Sequence, residues 1–275
     1  MIFFWLQLTF FFCFFIVSVI ISRNRFRNLA DVPLERLTQN MIQKEVNREA
    51  ASVSPKTVRN AHGLLYAALQ EFHHDFRLHT ALPKKRKYVP NIPSRDDIKT
   101  ILGAVKGTPI ELAVALAVML GLRQSEIRAL THDSLRGDML VVNAAMVDAE
   151  NRQVVKSTKT YAGTRSVPVN NYIKTLIASV PSDQKYLVPL SGGAISKRLS
   201  RLLERHGLPH FRFHDLRHAN ASVMLALNIP DKYAMERMGH ATNNMLKTVY
   251  QHTMSDTKSA VDDAINKYFE QLLNE

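Results

Sequence analysis

Residues 213–218 have the sequence FHDLRH, and this stretch decides how the chain is interpreted. If it is helical, His214 and Arg217 lie three residues apart and share one face. A proton-transfer group then stands beside a guanidinium that can bind a phosphate. The Gly239-His240 pair follows, and Tyr250 comes ten residues after that histidine. Each of these residues is common on helices when taken alone, but the ordered set is not.

A second informative stretch lies upstream, where residues 121–130 read GLRQSEIRAL. Arg123 comes two residues after a glycine, at the predicted head of a short helix, so its fork can turn toward a phosphate. Glu126, three residues on, can brace the same turn. An arginine and a glutamate three residues apart are common on surface helices, so this stretch alone is weak evidence. It becomes informative because it precedes residues 213–218 in the sequence.

Between these two stretches the sequence changes from helical to β periodicity. Residues 140–142, 154–155 and 165–169 predict strands, with turns at 148–151 and 162–163. Apolar residues at helical spacing precede and follow this region. We therefore predict a mainly α fold with a small antiparallel β-sheet, which is an α+β class.

In this order the residues resemble the tyrosine recombinases, the phage-integrase family of site-specific DNA recombinases. The family pattern is an arginine in a GLR-x-x-E-type box, a lysine on a β-hairpin, an H-x-x-R box, a Gly-His pair and a downstream tyrosine. The resemblance covers roughly residues 28–270. The matching residues are Arg123 with Glu126, Lys159, His214 with Arg217, His240 and Tyr250. Lys156 is the alternative lysine, but Lys159 lies nearer the turn before the strand at 165, as the family pattern prefers.

The resemblance implies DNA strand transfer without metal, ATP or any other cofactor. Tyr250 would be the nucleophile, Lys159 the acid that protonates the departing 5′ oxygen, and His214 the group that assists removal of the tyrosine proton. The scissile phosphate would be held by Arg123, Arg217 and His240. A 3′-phosphotyrosyl enzyme stores the bond energy for rejoining. The implied task is integration or excision of a mobile element by a homotetramer on double-stranded DNA.

Composition and charge agree with a DNA partner and exclude several other classes of protein. The chain has 275 residues with 46% hydrophobic residues, which excludes disorder throughout. Its formal net charge of +12 favours nucleic acid or an anionic membrane. The single cysteine excludes an internal disulfide and a cysteine zinc finger. The sequence also lacks a G-x-x-x-x-G-K-[ST] phosphate loop.

Four histidines at four-residue intervals, His206, His210, His214 and His218, raise the alternative of a zinc site. Three features oppose it. Pro209 would interrupt a continuous helix, the glutamate of an H-E-x-x-H motif is missing, and the cation of Arg217 would repel a divalent ion. The sequence therefore predicts no metal site.

The first 22 residues differ in composition from the rest of the chain, with seven phenylalanines and no charge. A helix of this length reaches about 30 Å, enough to cross a hydrocarbon core. Arg23, Arg25 and Arg27 follow, so the positive-inside tendency would leave the remaining chain in the cytoplasm. The family usually has further core-binding helices here. Residues 1–22 are therefore interpreted either as a membrane span or as a non-native amino end.

The remaining chain divides into three predicted parts. Residues 23–82 form a partial helical core-binding domain, with Thr38 and Ser54 as predicted N-caps. Residues 83–93 form a basic, proline-punctuated linker, and residues 94–275 form an integrase-like catalytic domain. The linker lysines and arginine are candidate DNA contacts: Lys84, Lys85, Arg86 and Lys87. The apolar face of the last predicted helix, residues 256–273, either covers its own domain or docks on a neighbouring protomer.

Other functions stay open for the same residues. A type IB topoisomerase shares the active-site logic but would relax any supercoiled plasmid. A noncatalytic, truncated DNA-binding remnant would bind DNA in a salt-sensitive way without cleaving it. A membrane protein could instead use its basic part to contact anionic lipid.

Overall fold

The structure is a computed structural model that describes residues 25–73, 75–85, 91–149, 152–157 and 164–239. These residues form two compact units, one before and one after residue 88. Helices dominate both units, and the strands are short and antiparallel. The predicted mainly α fold with a small antiparallel sheet is therefore confirmed.

The first unit contains two helices and two 3-10 turns around a small apolar core. The helices are α1 (Gln39–Ser52) and α2 (Pro55–Phe72), and the turns are Arg27–Leu29 and Leu34–Arg36. Both predicted N-caps are confirmed, because Thr38 and Ser54 each accept a hydrogen bond from the backbone N–H three residues on. The core consists of Phe26, Leu29, Leu37, Ile42, Val46, Val58, Leu65 and Leu69.

A segment without regular secondary structure, residues 75–85, runs along α1 and is held there by glutamine side chains. Gln43 donates to the Ala81 carbonyl at 3.1 Å and accepts from the Ala81 N–H at 2.9 Å. Gln39, one turn earlier, makes the same kind of paired contact with this segment. The two side-chain amides thus satisfy backbone N–H and C=O groups of the segment, as a neighbouring strand would.

The second unit has seven described helices and a 3-10 turn. The helices are α3 (Arg95–Ala104), α4 (Glu111–Leu120), α5 (Gln124–Ala129), α6 (Asn171–Ala178), α7 (Gly192–Arg205), α8 (Phe213–Ala226) and α9 (Asp231–Met238), and the turn is His132–Ser134. Most residues of α4 are fully buried, and α4 packs against α8. The two further helices predicted at 243–250 and 256–273 lie outside the described residues.

The strands of the second unit form two sheets where the sequence predicts one. β1 (Leu135–Arg136), β2 (Met139–Val142) and β5 (Arg165–Pro168) make a sheet in the order β1-β2-β5, while β3 (Ala144–Ala149) and β4 (Arg152–Ser157) form a separate hairpin. Every residue of β4 is exposed, and β4 pairs only with β3 among the described strands. The hairpin therefore does not continue the other sheet. The predicted turn at 148–151 is also too long, because residues 148 and 149 pair within the hairpin.

The end of α4 is fixed by a glycine and an asparagine. Gly121 has a φ of +66°, the left-handed conformation that ends many helices. The side-chain amide of Asn220, on α8, donates to the carbonyls of Val118 and Met119 at 2.8 and 3.1 Å. A Cβ atom on Gly121 would lie 2.8 Å from Oδ1 of Asn220. Both the conformation and the space therefore require glycine at position 121.

Among the residues that the structure describes, no helix combines the length and the apolar character needed to cross a membrane. The hydrophobic run at residues 1–22 lies outside those residues, so its interpretation stays a prediction.

We expect Gly121→Ala to lower the thermal unfolding midpoint more than Gly107→Ala does. Both glycines have a positive φ, +66° and +69°, so both alanines bear a conformational cost of about 1–2 kcal/mol. Only at Gly121 does the added methyl group also meet a neighbour, since nothing lies within 4 Å of it at Gly107. Thermal melts monitored by circular dichroism measure the difference. Equal shifts for the two variants would contradict the packing argument.

Candidate active site

The site is built around the start of α5, where Arg123 and Glu126 interact as the sequence predicts. The Glu126 carboxylate accepts from the Arg123 backbone N–H at 2.8 Å and from its Nη1 at 2.7 Å. Glu126 is buried, whereas 37% of the Arg123 side chain is exposed. The carboxylate therefore fixes the base of an arginine whose side chain reaches solvent.

Three arginines converge on this one buried carboxylate. Arg165 of β5 donates from Nη1 and Nη2 to the two Glu126 oxygens at 3.2 and 2.9 Å. Arg217 of α8 places its Nη1 at 3.9 Å from the Glu126 Oε2. Arg217 and Arg165 are both buried. The structure thus brings the two predicted phosphate-binding arginines together, and it adds a third that the sequence analysis used only to mark a strand.

Burial and charge act in opposite directions on this cluster. Burial by itself would raise the pKa of Glu126, but the hydrogen bonds and charges of Arg165 and Arg123 outweigh it, and the pKa is lowered. Burial, together with the charges of Arg123 and Arg165, lowers the pKa of Arg217 to about 9. Glu126 therefore stays ionised and Arg217 stays protonated at neutral pH, so three guanidinium groups face one carboxylate.

Three consecutive carbonyls at the end of α9 accept hydrogen bonds from the same three arginines. Arg165 Nε donates to the carbonyl of residue 237 at 2.8 Å, and Arg217 Nη2 donates to that of residue 238 at 2.6 Å. Arg123 Nη2 donates to the carbonyl of Gly239 at 2.9 Å. The carbonyl end of a helix carries partial negative charge, which favours cations there. Gly239 directly precedes the predicted site residue His240.

His214 and His218 lie one turn apart on α8, with ring centroids 4.9 Å apart and planes at 90°. His214 is exposed at the helix surface, while His218 is buried. Partial burial of its ring, with the charges of His218 and Arg217, lowers the pKa of His214 to about 4. Burial likewise lowers the pKa of His218. His214 is therefore neutral at pH 7, which is the form that can accept a proton.

Three of the predicted catalytic residues, Lys159, His240 and Tyr250, lie outside the described residues, so their positions stay predictions. β4 ends two residues before Lys159, and the hairpin that contains β4 is fixed to α5. The fixing contact joins buried Arg128 to Asp148 of β3 through two hydrogen bonds of 3.0 and 2.7 Å. Sequence reasoning missed this pair.

The candidate DNA contacts of the linker are described only in part. Lys84 and Lys85 are exposed in the first unit, and Lys85 lines a groove with Lys56 and Arg59 at the start of α2. The other two candidates, Arg86 and Lys87, lie outside the described residues.

A second basic surface follows one face of α7, which the sequence analysis did not single out. Gln124, next to Arg123, holds the start of this helix by donating to the Gly192 carbonyl at 3.0 Å and to Ser196 Oγ at 3.2 Å. The α7 surface consists of the exposed side chains of Lys197, Arg198, Arg201 and Arg205. Their spacing of three and four residues was a readable signal for a cationic face.

The zinc alternative finds no support in the described part of the chain, where no group of three or more His, Cys, Asp or Glu side chains could hold a metal ion. The predicted interruption is confirmed, since α7 ends at Arg205 and α8 begins at Phe213. Two of the four histidines therefore lie between the helices.

We predict that acidification from pH 7.5 to pH 5 lowers the thermal unfolding midpoint, through His214 and His218. The pKa of each histidine is below its ordinary value of 6.5 in the folded state, so the unfolded chain takes up protons first. The stability they contribute is present above pH 6.5 and is lost as the pH falls toward about 4. Glu126, whose pKa is lowered, titrates below this window.

The matched control is the double variant His214→Gln/His218→Gln, measured over the same pH range. Because its remaining histidines are those of the wild type, its midpoint should fall less between pH 7.5 and pH 5. Parallel curves for the two proteins would contradict the assignment.

Comparison with known proteins identifies the family of this arrangement. The sequence model of the phage integrase family matches residues 94–256. A tyrosine recombinase XerC-like protein of Caldanaerobacter subterraneus is 23% identical over 210 residues, which are 64% of this chain and 54% of the relative. The integrase of Staphylococcus phage L54a is 22% identical over 179 residues, 52% of this chain and 50% of that protein. This chain thus spans about half the length of these curated relatives.

Solved structures share the fold at low sequence identity. The Tn1549 transposon integrase in complex with a circular intermediate DNA has a TM-score of 0.69 at 17% identity, with 90% of each chain covered. The lambda integrase tetramer bound to a Holliday junction has a TM-score of 0.63 at 20% identity, covering 79% of this chain and 68% of that one. The family match covers more than half of the sequence and includes the whole arginine cluster. The chain therefore belongs to the phage integrase family.

Proposed function

We propose that this protein is a site-specific DNA recombinase that cuts and rejoins double-stranded DNA through a 3′-phosphotyrosyl intermediate, for the integration or excision of a mobile element. The observation that carries the proposal is the convergence of Arg123, Arg165 and Arg217 on the buried Glu126. This cluster holds a surplus of positive charge beside a solvent-reaching guanidinium. Such an arrangement suits a DNA phosphate whose charge increases in the transition state.

The cleavage step assigns one role to each residue of the family pattern. Tyr250 Oη attacks the scissile phosphorus while the bond to the 5′ oxygen breaks. The tyrosine proton passes to neutral His214, and Lys159 gives a proton to the departing oxygen. The phosphate charge is held by Arg123, Arg217 and His240. The product is a phosphotyrosyl ester and a free 5′ hydroxyl, and attack by another 5′ hydroxyl reverses the step and releases the enzyme.

The two proposed arginine roles differ in access. Arg123 reaches solvent and can contact a phosphate directly, whereas Arg217 is only 1% exposed. Arg217 would act on the phosphate through its charge, while its hydrogen bonds to the carbonyls of residues 121 and 238 hold its guanidinium in place. No step of this scheme requires a metal, ATP or another cofactor, because the bond energy stays in the ester.

The DNA complexes of related integrases support the choice of partner. The Tn1549 transposon integrase is bound to a circular intermediate DNA, and the lambda integrase tetramer to a Holliday junction. We propose a homotetramer on double-stranded DNA for this chain as well. The basic surface of α7 and the linker cations Lys84 to Lys87 would contact the DNA backbone, since phosphate contacts supply most of the nonspecific affinity.

The assignment of Tyr250 as nucleophile is tested by covalent capture on a pool of randomised duplexes. Each duplex is nicked so that cleavage releases a short fragment with a free 5′ hydroxyl, which diffuses away. We expect the wild-type chain to form an adduct that resists detergent and to enrich one sequence, because the lost fragment cannot rejoin. Tyr250→Phe, which lacks the attacking oxygen, should form no adduct. Equal capture by the two proteins would refute the assignment of Tyr250.

The capture result, combined with a plasmid relaxation assay and a DNA-binding assay, separates the alternatives. Adducts without an enriched sequence, together with relaxation of supercoiled plasmid, would favour a type IB topoisomerase. Salt-sensitive binding without any adduct would favour a noncatalytic remnant.

We expect Lys197→Ala/Arg201→Ala to weaken DNA binding and to reduce the slope of log affinity against log salt by about 2, one for each lost phosphate contact. Fluorescence anisotropy of a labelled duplex at several salt concentrations measures both quantities. The matched control is Lys106→Ala/Lys185→Ala, which removes two exposed cations outside α7 and should leave the slope unchanged. The same slope for both double variants would exclude α7 from the interface.

A further inference from the structure

Arg165 lies at the first position of β5, on the buried face of that strand. The burial of β5 alternates, so Arg165 and Val167 face inward while Ser166 faces out. Only 8% of Arg165 is exposed. An arginine at an inward strand position requires acceptors for its donors, because an unpaired buried cation is costly. Glu126 and the carbonyl of residue 237 supply them.

The Glu126 carboxylate accepts four hydrogen bonds, two from each of two arginines. Oε1 accepts from Nη1 of Arg123 at 2.7 Å and from Nη1 of Arg165 at 3.2 Å. Oε2 accepts from the backbone N–H of Arg123 at 2.8 Å and from Nη2 of Arg165 at 2.9 Å. Four bonds match the acceptor capacity of an ionised carboxylate, which has about four lone-pair sites. The carboxylate is therefore saturated.

This saturation decides what the third arginine contacts. Nη1 of Arg217 is 3.9 Å from the Oε2 of Glu126, beyond hydrogen-bond distance, and donates to the Gly121 carbonyl instead. If the two bonds from Arg165 were absent, one acceptor site would open on each oxygen of Glu126, and Oε2 is the oxygen near Arg217. The attraction between Arg217 and the carboxylate would then draw the guanidinium away from the carbonyls of residues 121 and 238.

We propose that Arg165 is a positioning residue for the strand-transfer site, which holds Glu126 so that Arg123 and Arg217 keep their orientations before DNA binds. The inference rests on the proposed function. Arg165 itself does not contact DNA in this scheme, because it is buried and donates to Glu126 and to the carbonyl of residue 237. Its effect therefore belongs to the rate of the chemical step and not to DNA affinity.

The test compares Arg165→Gln with the wild type on the nicked duplex of the enriched sequence, at a temperature where melts show both proteins folded. We expect adduct formation in a single turnover with saturating enzyme to slow by about ten- to a hundredfold. Loss of a residue that hydrogen-bonds a metal ligand, without contacting the metal, has an effect of this size. The dissociation constant for DNA should stay unchanged. Arg165→Lys, which restores the charge without the fork, should be intermediate.

Coupling to Glu126 is measured with Glu126→Gln and the double variant Glu126→Gln/Arg165→Gln. Because Arg165 acts through Glu126, the double variant should be no slower than the slower single variant. Multiplicative losses would show that Arg165 acts by another route and would overturn the proposal.

Arg128→Gln is the matched control, since it breaks another ion pair of a buried arginine, this one between Arg128 of α5 and the exposed carboxylate of Asp148. This change loosens the hairpin before Lys159, so its effect should act on leaving-group protonation. A substrate with sulfur in place of the 5′ bridging oxygen needs no such proton, because a thiolate leaves readily. On this substrate Arg128→Gln should recover the wild-type rate, whereas Arg165→Gln should stay slow.

The outcomes separate this proposal from the proposed function. If the wild type forms no adduct, the proposed function fails. If the wild type forms the adduct and Arg165→Gln forms it at the same rate, only the positioning role is overturned. This holds even if the final yield of adduct is lower because part of the variant is unfolded. Recovery of Arg165→Gln on the sulfur substrate would also overturn it.

Discussion

The buried carboxylate of Glu126 is the constraint on which the arginine cluster of the second unit depends. A carboxylate removed from water is tolerated only when charged donors replace its hydration, and here two arginines fill both oxygens. Because those arginines come from the start of α5 and from β5, the carboxylate fastens helix to sheet. Arg165 and Arg123 then bind carbonyls at the end of α9. Breaking such a buried pair from one side typically costs about 3–5 kcal/mol, so the site and the fold are stabilised together.

The same arrangement assembles positive charge before any phosphate is present. Three guanidiniums around one carboxylate repel one another, and that repulsion contributes to the lowered pKa of Arg217. The carbonyls of residues 237–239 offset part of it, since each accepts from a different arginine. On the proposed function, a phosphate bound beside Arg123 would relieve the remainder. The fold therefore holds a preorganised charge distribution whose cost would be recovered on binding DNA, which is how electrostatic stabilisation of a transition state avoids reorganisation.

Local patterns were sufficient to predict much of this structure, and nonlocal ones were not. The caps at Thr38 and Ser54, and the pairing of Arg123 with Glu126, involve residues three apart, so their spacing is legible in the sequence. Arg165 meets Glu126 across 39 positions, and only the register of β5 brings them together. The alternation of Arg165 with Val167 was the available signal, because it places a cation on an apolar face. The separate β3–β4 hairpin lacked even that signal, since all of β4 is exposed.

Arg123 has partners on two sides, because it binds Glu126 and Gly239 and is also the arginine that reaches solvent. The count of donors shows that these contacts are compatible. A guanidinium has five N–H groups, and the described contacts of Arg123 use one on Nη1 and one on Nη2. Beyond these described contacts, three N–H groups are left for a phosphate, so the proposed DNA binding would not require Arg123 to leave the carboxylate. A lysine in its place would offer three donors on one atom, and it could not direct some of them inward and others outward. The geometry at the start of α5 therefore requires arginine, and not merely a positive charge.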